Sequence, residues 1–222
     1  MNKYKVIILS LLISFMGASC EDWLYDNINE DAAHEVLPQQ VLPVVLFYSA
    51  QLQFDHAEYG AYLTQTLTTG GRNQTSSFAY KSGWGDFLTM NRHPQWRRHF
   101  YDIGVNAKEI IDEAHEAQAW NLELISRTLR LMSTQMTTDL FGDMPRSEAY
   151  ESNSPHYDTQ ESIYEWMNQE IEELIGMYED PTYTEAATNI PIDQSIDRVF
   201  AGDLNKWKHY TYALKARLSP FF

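Results

Sequence analysis

The residue with the clearest chemical potential is Cys20, the only cysteine of this 222-residue chain. Lys3 and Lys5 precede an apolar run at residues 6–16, and the small residues 17–19 lead directly to the thiol. A charged, then an apolar, then a small-residue segment is typical of a secretory signal peptide. The apolar run is shorter than the roughly 20 residues that a membrane-spanning helix needs. The sequence therefore predicts an exported protein.

The position of Cys20 directly after these small residues resembles the lipobox of bacterial lipoproteins. The resemblance implies cleavage after Ser19 and attachment of a lipid to the Cys20 thiol, so that residues 1–19 are a lipoprotein signal peptide. Several acyl chains together anchor a protein stably to a membrane that it does not span. An acylated thiol also leaves no cysteine for disulfides, metal sites or catalysis. The alternative is an ordinary signal peptide in which the cysteine is incidental.

A second group of chemically useful side chains lies in residues 70–94, which lack a helical period and are rich in Gly, Ser, Thr and Asn. A loop of this length in a compact domain is often functional. Trp84 stands between two glycines, so its ring could stack on a sugar face. Tyr80, Arg72 and Asn73 could supply a second ring and hydrogen bonds to hydroxyl groups. The alternatives are that Trp84 fills a local hydrophobic gap and that the other three are solvated loop residues.

Catalytic and metal-binding motifs are not found. The seven histidines show no metal-ligand spacing, and no Gly-x-Ser-x-Gly or His-Glu-x-x-His motif occurs. Asp139, Gly142 and Asp143 could form a cation loop, but a helix end with a C-capping glycine is the favoured interpretation. We expect no enzyme activity, no cofactor and no metal. A glycoside hydrolase needs only two suitably separated carboxylates, and 31 acidic residues leave that alternative open.

Charge and composition narrow the possible partners. The chain carries a net charge of −15, which repels nucleic-acid phosphates and anionic lipid head groups. We therefore expect no nucleic-acid partner. Hydrophobic residues make up 44% of the chain, which is enough to build a packed core.

Helical periodicity predicts five helices that must position these residues, and no segment alternates as a strand does. They are expected after Pro43, from near Gln95, over about 121–140, over about 159–178 and after Asp203. Asp158 is the predicted N-cap of the fourth helix, because Glu161 follows it in the spacing of a capping box. The chain is therefore predicted to be all-α and built from paired helices.

The predicted helices assign several residues to the core. The inner stripe of the second helix is expected to comprise Val105, Ile110, Ile111, Ala114 and Ala117, and its acids are expected to form a solvated face. Three tryptophans lie on helical stripes or at helix starts and are expected to pack in the core, namely Trp96, Trp166 and Trp207.

Several strings occur together in an order that resembles a known family: WRRHFYDIGVNAKEIIDEA at 96–114, DLFGDMPRSEA at 139–149, YDTQESIY at 157–164 and GDLNKWK with LKARL near the end. Their order and spacing resemble the SusD/RagB family of outer-membrane nutrient-binding lipoproteins. The resemblance implies an all-α fold of tetratricopeptide-like helix pairs with long irregular loops. It also implies capture of an oligosaccharide or a similar nutrient for a SusC-type TonB-dependent transporter, without catalysis.

The same resemblance implies a location on the outer face of the outer membrane. Glu21 and Asp22, directly after the cysteine, resemble the acidic signal that sends such lipoproteins to the cell surface. The expected organisation is a signal peptide at 1–19, a lipidated tether at 20–43 and a SusD-like helical domain at 44–222. A helical interaction scaffold without a small ligand is a further alternative.

Two features depart from the family pattern. Asn29-Glu30-Asp31 is followed by Ala32 where the family usually has proline, and the chain stops soon after LKARL, where a long C-terminal half is expected. We therefore expect this sequence to be the N-terminal part of the fold.

Overall fold

Helices form the framework in the part of the chain that the computed structural model describes, which comprises residues 37–64, 66 and 94–218. No strand occurs among these residues, and the isolated bridge between Met144 and Asp158 is their only β-type pairing. The elements are α1 (Pro38–Leu63), α2 (Pro94–Arg97), the π-helical segment π1 (Arg98–Val105), α3 (Asn106–Glu116), α4 (Trp120–Phe141), α5 (Gln160–Glu179), α6 (Pro181–Thr184) and α7 (Leu204–Leu218).

The first helix begins earlier than predicted. Helix α1 starts at Pro38, so that Pro43 lies inside the helix rather than before it. The reason is tertiary burial: Leu42, one residue before this proline, is fully buried, as are Val45 and Leu52 on the same face. Packing of that face outweighs the hydrogen bond that an internal proline cannot donate.

Helix α4 is the central element, and it contacts α1, π1, α3, α5 and α7. Apolar residues recur along α4 at the spacing of one helix face: Leu122, Ile125, Leu129, Met132 and Met136 are buried, and Leu140 near its end is half-buried. Because partners surround this helix, polar side chains on its other faces are buried as well. The Thr128 hydroxyl, for example, donates to the backbone carbonyl of Leu124 in the same helix, and its oxygen lies 3.0 Å from the Tyr178 hydroxyl oxygen.

The ends of the helices follow local capping rules. Gly142 ends α4 with a positive φ of 76°, as expected for a C-capping glycine. Asp139 and Asp143 hold protein groups at this end rather than a cation: Asp139 accepts from Tyr164 and Arg217, and Asp143 accepts from the backbone N–H of Gln160.

The predicted N-cap of α5 is wrong by one residue. Thr159 caps the helix, and its hydroxyl accepts from the backbone N–H of Ser162. Asp158 is unavailable for that role because its carboxylate accepts from Arg146 N–H at 2.8 Å and Ser147 N–H at 2.9 Å. Long-range contacts with the α4–α5 loop therefore displace the cap that the local pattern predicts.

The segment π1 changes the buried face of the second predicted helix. Buried residues recur at steps of four, at Gln95, His99, Ile103 and Ala107, before Ile110 and Ala114 continue the stripe. A π-helix bonds five residues apart rather than four, so its turns are wider. Val105, predicted to be inward, is consequently exposed. Ala117, also predicted to be inward, is exposed as the C-cap beyond the end of α3. The acids at 109, 112, 113 and 116 lie on the solvated face as expected.

These helices form an all-α fold of the tetratricopeptide-like type. The described residues belong to a compact unit that spans Leu37–Phe222. A single hydrophobic core runs through it, with Trp207 and Leu122 among its fully buried members.

Candidate functional site

The residues that the sequence analysis favoured as ligand contacts lie outside the described residues. This applies to Trp84, Tyr80, Arg72 and Asn73, and also to the predicted lipidation site Cys20. Each of these assignments therefore stays a prediction.

A groove opens elsewhere, between the π1–α3 face and the irregular loop that joins α4 to α5. Its outer part has a volume of about 840 Å³ and is continuous in its lining with an inner cavity of about 240 Å³. Six residues line both parts: Lys108, Asp112, Pro145, Ala149, Tyr150 and Glu151. The outer volume lies within the range of known ligand pockets, which is roughly 300–1,000 Å³.

Aromatic rings dominate the outer groove. The rings of Trp96 and Tyr157 stack with their centroids 6.3 Å apart and their planes 22° from parallel. Phe100 packs against Trp96 with the centroids 4.7 Å apart, and Tyr150 lies 6.5 Å from Phe100. Tyr101 is 70% exposed and Tyr157 is 53% exposed, so both present apolar ring surface to solvent. Such surfaces suit flat ligands that have an apolar face.

The π1 segment carries Phe100 and Tyr101 and leaves room for the Tyr150 side chain. Gly104 faces the Tyr150 hydroxyl so closely that a Cβ there would lie 1.8 Å from the hydroxyl oxygen and 2.6 Å from the carbonyl oxygen of His99. Only glycine permits this approach. The wide turns of π1 also direct Tyr101 and Val105 outward, where they line the groove.

The opposite wall is the α4–α5 loop, whose two ends are joined by backbone hydrogen bonds. Met144 and Asp158 pair through two backbone hydrogen bonds of 3.2 and 3.1 Å. Partial burial would raise the pKa of Asp158, but hydrogen bonds from Ser147 and Arg146 outweigh it and lower the pKa. Asp158 therefore remains charged and holds the loop that carries Tyr150 and the residues up to Tyr157.

Basic and polar side chains line the inner cavity. Arg130 and Arg146 reach it from α4 and from the loop, and His99 and Trp166 contribute from π1 and α5. The Arg146 guanidinium carbon lies 4.8 Å from the centroid of the Trp166 ring, within the range of a cation–π contact. The cavity far exceeds the roughly 10–15 Å³ that one water molecule needs.

Burial shapes the ionisation of the groups around this cavity. Burial and, secondarily, the charge of Arg130 lower the pKa of His99 to about 3, so its imidazole is neutral and pairs with Ser133 Oγ at 2.8 Å. Burial also lowers the pKa of Arg130, although Glu170, Tyr150 and Asp112 act in the opposite direction. Burial raises the pKa of Tyr150 to about 12, so the phenol stays protonated.

Two tryptophans that were predicted to lie in the core also line this site. Trp96 and Trp166 pack against the core and are only half-buried, whereas Trp207 is fully buried as predicted. Tyr101 and Tyr157 were not singled out from the sequence. A cluster of aromatic residues at 96, 100 and 101 beside an irregular loop ending at Tyr157 was the available signal, but it did not show which rings face solvent.

The described residues meet neither the requirements of a metal site nor those of a membrane-spanning helix. Within residues 37–64 and 94–218, no three His, Cys, Asp or Glu side chains converge as a metal site would require. None of the helices described is both long enough and apolar enough to cross a bilayer.

Comparison with known proteins identifies the fold. Residues 32–219 match the SusD-like family described as "Starch-binding associating with outer membrane". The chain belongs to the SusD-like family. No protein with a curated description matches it.

A solved structure agrees with this assignment. The SusD-like chain is similar to a SusD/RagB family protein from Bacteroides thetaiotaomicron, with 22% sequence identity and a TM-score of 0.61. The match covers 82% of this chain and 38% of the solved one, so this chain spans well under half of that relative. At this identity the likeness shows a shared fold, and the predicted SusD/RagB resemblance and all-α architecture are confirmed.

Proposed function

We propose that this protein is a surface lipoprotein of the outer membrane that binds a nutrient glycan in the groove and does not cleave it. The observation that carries the proposal is the solvent-facing aromatic wall formed by Trp96, Tyr101 and Tyr157 in a chain whose family is described as starch-binding. Sugar rings have apolar faces that stack on aromatic side chains, and their hydroxyl groups seek hydrogen bonds.

The α4–α5 loop also offers polar groups to those hydroxyl groups. Ser152, Asn153 and Ser154 line the groove and are exposed, so their polar groups are free to contact a ligand without a large desolvation cost. The outer volume of about 840 Å³ accommodates more than one sugar ring. Exposed aromatic rings and exposed polar groups in one groove suit an oligosaccharide.

Delivery completes the proposed role. The lipid on Cys20 would tether the protein, the acidic pair at Glu21 and Asp22 would direct it to the cell exterior, and a SusC-type TonB-dependent transporter would receive the glycan. The signal-peptide pattern, the lipobox resemblance and the family membership support these steps. Residues 80 and 84 of the preceding loop remain proposed contacts for the same ligand.

The geometry favours binding over hydrolysis. A glycoside hydrolase needs a carboxylic acid sheltered from water together with a second carboxylate. The acids that line the described groove are Glu109, Asp112 and Glu151, and all three are exposed. Asp112 is also held by Lys108, whose Nζ lies 2.5 Å from Asp112 Oδ2.

The test uses the full lipoprotein in detergent and a panel of soluble starch, galactan and xylan in native affinity gels. We expect retention by at least one polysaccharide without release of shorter products. Tyr101→Ala and Tyr157→Ala should each weaken retention by roughly 2–10-fold, the equivalent of one aromatic contact. Tyr212→Ala is the control, because Tyr212 is 40% exposed and does not line the groove.

Three outcomes would contradict the proposal. Product release would indicate a hydrolase, no retention would favour an interaction scaffold, and equal effects of all three tyrosine variants would move the ligand away from the groove. A native pull-down that recovers no TonB-dependent transporter would remove the proposed partner.

A further inference from the structure

We propose that the inner cavity binds an anionic oxygen group, so that the glycan is an acidic one carrying carboxylates or sulfate esters. This inference rests on the proposed function and adds the class of ligand. It is carried by two guanidinium groups and one phenol that meet in one cavity and find no hydrogen-bond acceptor among the described residues.

The first of these groups is Arg130. Its guanidinium lines the cavity, and it makes no hydrogen bond or ion pair with any residue that the structure describes. Glu170 is close enough to act on it electrostatically, but Glu170 Oε1 is bonded to Arg127 Nε at 2.8 Å. Arg130 is half-buried, and partial burial of a charge without a partner is costly because it removes part of the hydration of that charge. An anion in the cavity would remove that cost.

The second and third groups are Arg146 and Tyr150. Arg146 Nε is buried and has no hydrogen-bond partner among the described residues, while its guanidinium is held over the Trp166 ring. The Tyr150 hydroxyl, placed by Gly104, likewise has no hydrogen bond within the described part of the chain. Guanidinium groups bind carboxylate and sulfate-type oxygens in a planar, often bidentate geometry.

The acids of the cavity do not cancel this charge. Asp112 is neutralised by its ion pair with Lys108, and Glu151 is exposed at the mouth. The remaining lining charges are the two guanidiniums, and His99 supplies a neutral imidazole. The cavity is therefore locally basic in a chain of net charge −15, which is the opposite of what its composition favours.

The inference predicts that Arg130 serves a ligand rather than the fold. Arg130→Gln should leave the thermal midpoint of the unliganded protein unchanged or higher, since it removes a half-buried charge that has no partner among the described residues. Arg146→Gln should be nearly neutral for the same reason. Arg198→Gln is the matched control, because it makes the same chemical change at an exposed arginine that does not line the cavity.

The first experiment uses inorganic sulfate and requires no knowledge of the glycan. Sulfate stabilises most proteins by exclusion from their surface, so the comparison is between variants at equal ionic strength. We expect sulfate to raise the midpoint of the wild type and of Arg198→Gln more than that of Arg130→Gln or Arg146→Gln. Equal shifts in all four proteins would overturn the anion site.

The second experiment compares galactan with polygalacturonate and with sulfated galactan in affinity gels, to separate carboxylate from sulfate recognition. We expect at least one acidic polymer to be retained about tenfold or more over galactan, as charge-assisted hydrogen bonds imply. The preference should be lost in Arg130→Gln and Arg146→Gln and kept in Arg198→Gln.

The outcomes separate this inference from the proposed function. Equal retention of neutral and acidic polymers, or an acidic preference that survives both arginine variants, would overturn the inference and leave glycan binding intact. No retention of any polysaccharide here or in the neutral panel would overturn both.

Discussion

The indole nitrogen of Trp207 donates a hydrogen bond of 2.8 Å to Asp197 Oδ2, and both residues are almost completely buried. The same carboxylate accepts from the backbone N–H groups of Val199, Phe200 and Gly202 at 2.9–3.1 Å. No basic side chain pairs with Asp197 in the described part of the chain. Four N–H donors therefore take the place of a counter-ion and fix the turn that leads into α7.

Removing that carboxylate should destabilise the protein strongly. Asp197→Ala leaves four donors without an acceptor, at least one of them deep in the core, and we expect a loss of at least about 3 kcal/mol in the free energy of unfolding. Urea unfolding followed by circular dichroism measures it. Asp193→Ala is the control: that exposed aspartate accepts hydrogen bonds within a local turn, chiefly from Ser195, and little change is expected. Similar losses in the two variants would contradict the role of Asp197.

Two glycines provide a test of the π1 geometry. Gly104→Ala would place a Cβ against Tyr150 and the His99 carbonyl, and we expect a loss of about 1–3 kcal/mol in unfolding free energy together with weaker glycan retention. Gly176→Ala is the matched change inside α5, where no atom lies within 4 Å of the new Cβ. It should instead stabilise the protein by up to about 1 kcal/mol. If urea unfolding showed that both glycine variants have a lower unfolding free energy than the wild type, or both a higher one, this account would be contradicted.

The buried imidazole of His99 should make stability depend on pH. Burial, assisted by Arg130, lowers the pKa of His99 from 6.5 to about 3. The unfolded chain binds a proton below pH 6.5 that the folded chain does not accept, so this stability is present above that pH and is lost as the pH falls toward about 3.

Urea unfolding at pH 4, 5, 6 and 7 tests this dependence. In the lower part of this window, His99→Gln should reduce the slope of unfolding free energy against pH by about 1.4 kcal/mol per pH unit. His209→Gln removes an exposed imidazole and should retain the steep acid dependence, because His99 is still present. An unchanged slope in His99→Gln would show that the imidazole is protonated in the folded protein.

Arg127 joins α4 to α5 through Glu170 and Glu173, and it also pairs with Glu123 of its own helix. Its guanidinium contacts Glu170 Oε1 and Glu173 Oε1 at 2.8 Å and Glu123 Oε1 at 3.3 Å, and its side chain is only 9% exposed. Burial alone would lower the pKa of Arg127, but the hydrogen bonds and charges of Glu170 and Glu173 outweigh it and raise the pKa. The positive charge of Arg127 therefore has acidic partners, in contrast to that of Arg130 one turn away.

Breaking the network on one side should therefore be costly. Arg127→Met leaves Glu123 and Glu170 buried without their partner, and we expect a loss of about 3–5 kcal/mol in unfolding free energy. The triple variant Arg127→Met, Glu123→Gln, Glu170→Gln should recover much of it, because no uncompensated charge remains. Arg217→Met, which breaks a surface pair with Asp139, should cost about 1 kcal/mol or less. A single variant as mild as Arg217→Met would refute the argument.

Regular helices were predictable because their signal is local. The inward residues of α4 and the start of α7 after Asp203 follow from apolar spacing alone, and Gly142 ends its helix as its type suggests. The predictions were wrong where a residue makes tertiary contacts that its local sequence does not indicate. Leu42 is buried by tertiary packing and extends α1 across a proline, and Asp158 is engaged by Ser147 instead of capping α5.

The candidate site was less predictable than the helices. Trp96 and Trp166 satisfy the pattern of core residues, and each does pack on the core with part of its ring. Whether the remaining ring surface faces water depends on where the α4–α5 loop crosses, and no local pattern encodes that crossing. The π1 segment was not predicted either, and its Gly104 lies directly against Tyr150 of the distant α4–α5 loop.

By itself, the sequence determined the acidic net charge, the positions of most helices and the family, and it predicted the export signal, because each of these depends on residue type and short-range spacing. Only the tertiary structure decided that Trp96, Arg130, Arg146 and Tyr150 share one site. They come from α2, from α4 and from the α4–α5 loop, and only the packing of these elements brings their side chains together.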